Sequence, residues 1–306
     1  MIKDVLVTAL VTGMLGIAQD GVPVRMTVAV EATHGKDVPE LQREDVLAFQ
    51  GKQRLPVTEW TALKGERAGR ELFMLIDDAS AMNLGSQLSE LREFINSQPA
   101  STLIGIGYMR NGMTDILQNL TSDHTKAAKT LRLPLGAIAG GASPYLALND
   151  LVKRWPGCCV PKEVVLISSG IDPLGGLSLA DPYLDSAIEQ AQRAGLIVYA
   201  VYTPITGHGG HSYWRMNWGQ SHLAQLAEET GGESYMLGFE TPVSFAPYLR
   251  DIEDHLAHQY SVSFLARPLA KPGLIDVRLA TEIPGAEIVA APRVYVTPEP
   301  PPSTSH

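Results

Sequence analysis

Two hydrophobic periodicities divide this chain. From Val22 to about Trp60 apolar and polar residues alternate in VPVRMTVAVEA, turn through HGKD, and resume in REDVLAFQGKQRLPVTEW, where Gly51-Lys52 separates two short runs. Alternation of period two sends successive side chains to opposite faces, so this stretch predicts strands and a hairpin. KGERAG, charged and Gly-rich, follows as a linker. From Glu71 short continuous apolar runs alternate with stretches of helical period, the pattern of a parallel sheet covered on both faces. The predicted buried strands are Leu72 to Ile76, Leu103 to Met109, Glu163 to Ile167, Leu196 to Tyr202 and Glu233 to Leu237. The predicted helices are Leu84 to Ser97, Thr125 to Arg132, Tyr145 to Trp155, Pro182 to Ala194 and Ser221 to Thr230. In the first of them Leu84, Leu88, Leu91 and Ile95 recur at helical spacing and build one apolar stripe. Asp115 to Leu120, after a turn at Gly112, is expected to pair antiparallel at the sheet edge.

After Gln259 alternation returns in YSVSFLA and LIDVRLAT, then in two short strands ending in RVYV. The two β-rich flanks are expected to pack together as one small sandwich into which a doubly wound α/β domain is inserted. The expected organisation is a leader at 1–18, an N-terminal β segment at 22–66, the α/β domain at 70–257, a C-terminal β segment at 258–297 and a disordered Pro-rich tail at 298–306. The leader reading rests on Lys3, an apolar run from Val5 to Ile17, and small residues Gly16 and Ala18 at the spacing of a cleavage site. Asp4 departs from the net-positive start such leaders have, which leaves a buried N-terminal strand or helix as the alternative. With the leader, the mature protein is exported, periplasmic or extracellular, and without a transmembrane helix.

Composition narrows the function classes. The 306 residues carry 24 Lys+Arg against 33 Asp+Glu, a net charge of -9, and so lack the cationic surplus that neutralises phosphates in a general nucleic-acid binder. Two cysteines, adjacent at Cys158 and Cys159, exclude a disulfide scaffold and a four-cysteine zinc site. Reduced thiols are one reading of the pair and an intermolecular disulfide the other.

Open α/β sheets bind ligands at the carboxyl ends of their strands. After the first strand stands Asp77-Asp78-Ala79-Ser80-Ala81-Met82 where a nucleotide fold would carry a Gly-rich phosphate loop. Two carboxylates and a hydroxyl are instead hard oxygen ligands suited to Mg²⁺, Mn²⁺ or Ca²⁺.

With these residues in view, LFMLIDDASAM, GGASPYLAL, EVVLISSGID and LIVYAVYT occur in the order and spacing of a von Willebrand factor A (VWA) domain, which the chain resembles. More narrowly, it resembles the VWFA-related domain proteins of Acidobacteria, which join a leader, an opening segment like DVPELQREDVLAFQGKQRLPVTEW, the A domain and a β-rich ending. The resemblance implies a Rossmann-like VWA fold and a metal-ion-dependent adhesion site built from Asp-x-Ser-x-Ser, a Thr and a later Asp. Asp78 and Ser80 fit the first two places, but Met82 stands at the second Ser, Ala142 at the Thr with Ser143 beside it, and Ser169 at the last Asp. If Asp77 is the first Asp, Ala79 and Ala81 fill both serine places. The implied site is therefore degenerate, with Asp78, Ser80 and Ser143 as its remaining ligands, Asp77 and Asp172 as further contributors, and Mg²⁺ or Mn²⁺ held weakly if at all.

His208 and His211, in TGHGGHSYWRMNWG after the predicted strand Leu196 to Tyr202, have a spacing that could chelate zinc but show no third ligand nearby; two solvated histidines are the alternative. Tyr213, Trp214 and Trp218 close behind have the composition of a recognition loop, with packing against the sheet edge as the other reading. No Gly-x-Ser-x-Gly elbow is present, and Ser168-Ser169-Gly170 has no evident partner histidine. The expected function is thus binding of a protein or surface partner through the carboxyl-edge loops, with no catalytic residue. The alternative is a metal-assisted hydrolase using Asp77, Asp78 and the His208/His211 loop.

Overall fold

The computed structural model describes residues 21–34, 37–80, 85–136, 143–155, 160–175, 180–205 and 212–297. The proposed leader, Met82, Ala142, Cys158, Cys159, His208, His211 and the Pro-rich tail lie outside them.

A six-stranded sheet forms the centre, in the order β10-β9-β8-β5-β6-β7. Its strands are β5 (Arg70–Asp77), β6 (Thr102–Arg110), β7 (Met113–Thr121), β8 (Lys162–Ser168), β9 (Leu196–Tyr202) and β10 (Ser234–Tyr235). All neighbours are parallel except β6 and β7, which form an antiparallel hairpin through Asn111-Gly112, both at positive φ. Every residue of β5 is buried, as the continuous apolar run of a central parallel strand requires. Its side chains alternate between two cores. Leu72, Met74 and Ile76 join α1 (Gly85–Ser97), α2 (His124–Thr130) and α6 (Ala246–Ala257), through residues such as Leu91, Ala127 and Ile252. Phe73 and Leu75 join α3 (Pro144–Arg154), α4 (Pro182–Ala194) and α5 (Tyr213–Thr230), through residues such as Leu148, Ile188 and Leu226. The sheet is thus doubly wound. Strand order reverses between β5 and β8, which makes their carboxyl ends the topological switch point.

Two helices depart from the sequence expectation. α5 begins at Tyr213, two turns before the expected Ser221, so the aromatic segment is helix and not loop. α6 was not foreseen, although Leu249, Ile252 and Leu256 share one buried face and Pro247 sits in its first turn, where a missing N–H costs nothing. The expected strand Glu233 to Leu237 shrinks to Ser234–Tyr235.

The flanks meet in a third core. A four-stranded sheet runs β14-β1-β11-β4, with β1 (Val22–Ala32) and β4 (Val57–Ala62) from the N-terminal side and β11 (Gln259–Ala266) and β14 (Ala286–Val289) from the C-terminal side. Two smaller sheets, β13-β2-β3 and β12-β15, close over it. These comprise β2 (Val46–Gln50), β3 (Gln53–Leu55), β12 (Gly273–Asp276), β13 (Arg278–Thr281) and β15 (Arg293–Val296). Val24, Val28, Val46, Val262, Phe264 and Val296 belong to the shared core. Trp60 stacks on Tyr260 with ring centroids 4.4 Å apart and donates its indole N–H to the Leu41 carbonyl at 2.9 Å. The flanks therefore form one β-rich sandwich. Among the described residues no helix is long and apolar enough to cross a membrane.

Candidate functional site at the carboxyl edge of the sheet

Asp77 ends β5, and Asp78, the first residue of the turn that follows, is held by a different set of partners. Asp77 turns toward the switch point, where Oδ2 accepts the Ser168 hydroxyl at 3.1 Å and Oδ1 accepts the Ala79 amide at 2.9 Å. Burial pushes its carboxyl up to about 6; the two hydrogen bonds oppose this and the neighbouring Asp78 charge adds to it.

Asp78, with 0% exposure, is consumed on the other side. Arg132 grips it through both guanidinium ends, Nη1 to Oδ1 at 2.6 Å and Nη2 to Oδ2 at 2.9 Å, and the Leu135 amide adds a bond to Oδ1 at 2.9 Å. Burial alone would raise this carboxyl, but the Arg132 and Leu135 bonds outweigh it and hold Asp78 below the usual range. Arg132 is itself fixed: its guanidinium lies 4.0 Å from the Tyr108 ring centre, and its amide donates to the Tyr108 hydroxyl at 2.9 Å. The Tyr108 hydroxyl in turn donates to the Arg132 carbonyl at 2.6 Å.

Ser80 shares a 2.9 Å hydrogen bond with the Thr203 hydroxyl, and the Thr203 amide donates to the Ser168 carbonyl at 3.0 Å. The ends of β5, β8 and β9 are thereby tied together. Ser143 caps α3, accepting from the Leu146 amide at 3.3 Å, and its hydroxyl donates to Asp172 Oδ2. Asp172 also accepts the Leu174 amide at 2.7 Å. Ser169 turns its hydroxyl to the Ile171 amide at 3.3 Å.

Asp78, Ser80 and Ser143 are therefore each committed to a different partner, and the carboxylate already holds a fixed cation in Arg132. A divalent ion beside that guanidinium would be repelled, and it would have to displace three hydrogen bonds to reach the Asp78 oxygens. Asp77, a second candidate anion, has Ala79 in the place of a hydroxyl and a carboxyl that burial raises to about 6, and Asp172, the third, is bonded by the Ser143 hydroxyl and the Leu174 amide. Among the described residues, the donors at this edge do not fit a hard divalent cation. Asp77 and Asp78 face apart, and among the described residues no histidine is hydrogen-bonded to Ser80, Ser143 or Ser168.

The aromatic residues separate into two classes. Tyr213 and Trp214, in the first turn of α5, are 57% and 67% exposed, whereas Trp218 one turn on is half-buried. Tyr213 meets Trp214 and Phe239 edge-on, with centroids at 6.0 and 5.1 Å. The segment carrying Phe239 and the 75% exposed Leu237 is held to α5 by Gln220, whose amide donates to the Gly238 carbonyl at 2.5 Å. Tyr213, Trp214 and Phe239 thus form one aromatic cluster, with Leu237 exposed two residues before Phe239. The residues that sequence reasoning missed here are Arg132, Thr203, Leu237 and Phe239; nothing in local spacing links Arg132 to a carboxylate 54 positions away.

No family model and no curated protein matches this chain. Solved structures do. An aerotolerance-related membrane protein from Bacteroides fragilis shares 17% identity over 61% of this chain and 98% of its own, with a TM-score of 0.45. Manganese-loaded TRAP protein from Plasmodium vivax shares 13% over 80% of this chain and 96% of its own, with a TM-score of 0.43. The SpRpn10 VWA domain shares 11% over 60% and 95%, with a TM-score of 0.43.

Proposed function

We propose that the protein is an exported VWA-type binding module that engages a protein or cell-surface partner through the carboxyl edge of its sheet, and that it belongs with the VWFA-related proteins it resembles in sequence. The observation that carries this reading is the aromatic cluster of Tyr213, Trp214 and the half-buried Phe239, with Leu237 exposed beside Phe239 in the chain. Exposed aromatic side chains offer large contact area at low entropic cost, and such residues dominate the energetics of interfaces. Asp78, Ser80, Ser143 and Asp172, by contrast, are already paired with other groups of the protein, so in this reading recognition rests on the rings and not on a shared metal. The adhesion site is degenerate in this reading, with the Arg132 guanidinium neutralising Asp78. His208 and His211 precede the aromatic cluster in the chain and are proposed to take part in partner binding with it. No catalytic role is assigned.

Capture of a partner from the exported fraction of the native organism, with chelator present and absent, tests the proposal. Wild-type protein should retain its partner in chelator, and Tyr213→Ser/Trp214→Ser should lose it at unchanged folded stability. Loss of capture in chelator alone, or full capture by the double variant, overturns the reading.

A further inference from the structure

Far from the switch point, where α6 and β10 meet β1, the fold brings together Glu31, Glu233, Asp251 and His255. The ligand atoms of Glu233, Asp251 and His255 all lie within 4.8 Å of one another. His255, only 8% exposed, forms the floor, and the carboxylates of Glu233 and Asp251 form an open rim. The His255 Nε2 lies 2.8 Å from Glu233 Oε2, while Nδ1 points at Glu31 Oε1 from 3.4 Å in a contact that does not close as a hydrogen bond. Tyr199 packs edge-on against the imidazole at 5.9 Å, and the Tyr235 hydroxyl donates to Glu233 Oε2 at 3.2 Å.

We propose that Glu233, Asp251 and His255 form a binding site for a transition-metal dication of the Zn²⁺ class, with Glu31 orienting the histidine from behind. Three physical features carry the assignment. Three carboxylates around one imidazole leave the cluster with an excess of negative charge. An imidazole nitrogen among the ligands favours Zn²⁺ over Mg²⁺ or Ca²⁺, which prefer oxygen shells. A carboxylate on the far nitrogen of a metal-bound histidine is the usual outer partner that fixes its tautomer and orientation, and Glu31 stands in that position with Nδ1 otherwise unbonded. On binding, the metal takes the place of the proton between His255 Nε2 and Glu233 Oε2; the ring keeps one proton, on Nδ1 facing Glu31, and any second proton passes to solvent. The rim side chains need close in only slightly to reach ligand distances of about 2.0–2.2 Å. Because Glu31 belongs to β1 and the ligands to the α/β unit, the ion would fasten the two parts of the molecule together.

Calorimetric titration of the full chain with ZnCl₂ at neutral pH tests this. A His208→Gln/His211→Gln variant serves as the background that removes the other histidine pair. One site of micromolar affinity is expected in that background, with MgCl₂ giving none. Asp251→Asn, at an exposed position where folding is not at risk, and His255→Gln should each weaken Zn²⁺ binding, and Glu31→Gln should weaken it by about tenfold or more. Zn²⁺ binding that vanishes in the His208/His211 background, or that Asp251→Asn and His255→Gln leave unchanged, overturns the proposal.

Discussion

Asp77 and Asp78 are neighbours in sequence and opposites in electrostatics. Burial, only partly offset by the Ala79 and Ser168 bonds, raises Asp77 from its ordinary 3.8 to about 6, so the folded protein binds that proton more tightly than the unfolded chain does. The cost of ionising it is fully present above pH 6 and absent below 3.8, and stability from this residue therefore falls as pH rises through that window. A shift of about 2 units corresponds to roughly 3 kcal/mol. Asp77→Asn, nearly isosteric, is expected to raise stability at pH 7 by up to ~3 kcal/mol and to flatten the profile between pH 4 and 6; urea midpoints at both ends check it. An unchanged slope would show that another group governs the window. Asp78 has the reverse sign, because Arg132 and Leu135 hold its carboxyl low. Its contribution is present above the ordinary carboxylate range and is lost as pH falls below it.

At the scale of elements, the carboxyl edge depends on how closely α5 approaches the turn after β8. Gly170 sits at φ +67, and a Cβ there would lie 2.2 Å from the Gly219 carbonyl; a Cβ on Gly219 would lie 2.2 Å from the Ser169 carbonyl. Backbone cannot yield as a flexible side chain does, so Gly219→Ala must push the helix and the turn apart. We expect a loss of about 1–3 kcal/mol, the usual range for overpacking. Breakage of the 2.7 Å bond from the Tyr145 hydroxyl to the Gly170 carbonyl should accompany it. Thermal unfolding measures the first, and the chemical shift of the Tyr145 ring the second; a variant as stable as wild type would show that the edge has slack.

For the whole molecule, β11 is the strand that joins the two ends of the chain. It pairs antiparallel with β1 along one side and with β4 along the other. Removing residues 22–60 strips it of all of one neighbour and most of the second, and also takes Val24, Val28, Val46 and Leu55 out of the sandwich core. The amides of Gln259 to Ala266 should then lose their protection in hydrogen exchange, together with those of β13, which pairs with β2. Protection that survives would mean that the C-terminal strands fold without the N-terminal segment.

What the sequence determined by itself was local. Continuous apolar runs fixed the parallel strands, because a strand buried on both faces cannot afford polar positions, and alternating runs fixed the flanks for the complementary reason. Pro182 and Gly195 bounded α4 on both sides, since a proline suits a first turn and a glycine the left-handed cap at φ 63. Where period weakened, so did legibility: α5 carries apolar and polar residues mixed around its first two turns because that end faces solvent, and its start was placed too late. The chemistry of the edge was legible only as residue types. Which way Asp78 turns depends on Arg132, delivered by the end of α2 after a hairpin and a helix, and the pairing of Ser143 with Asp172 depends on two loops meeting across the switch point. The His255 cluster draws its four members from β1, α6 and the residue before β10. Partners separated by dozens to hundreds of residues leave no periodic trace in the chain, and only the tertiary structure, by bringing distant elements into contact, decided what each charged side chain faces.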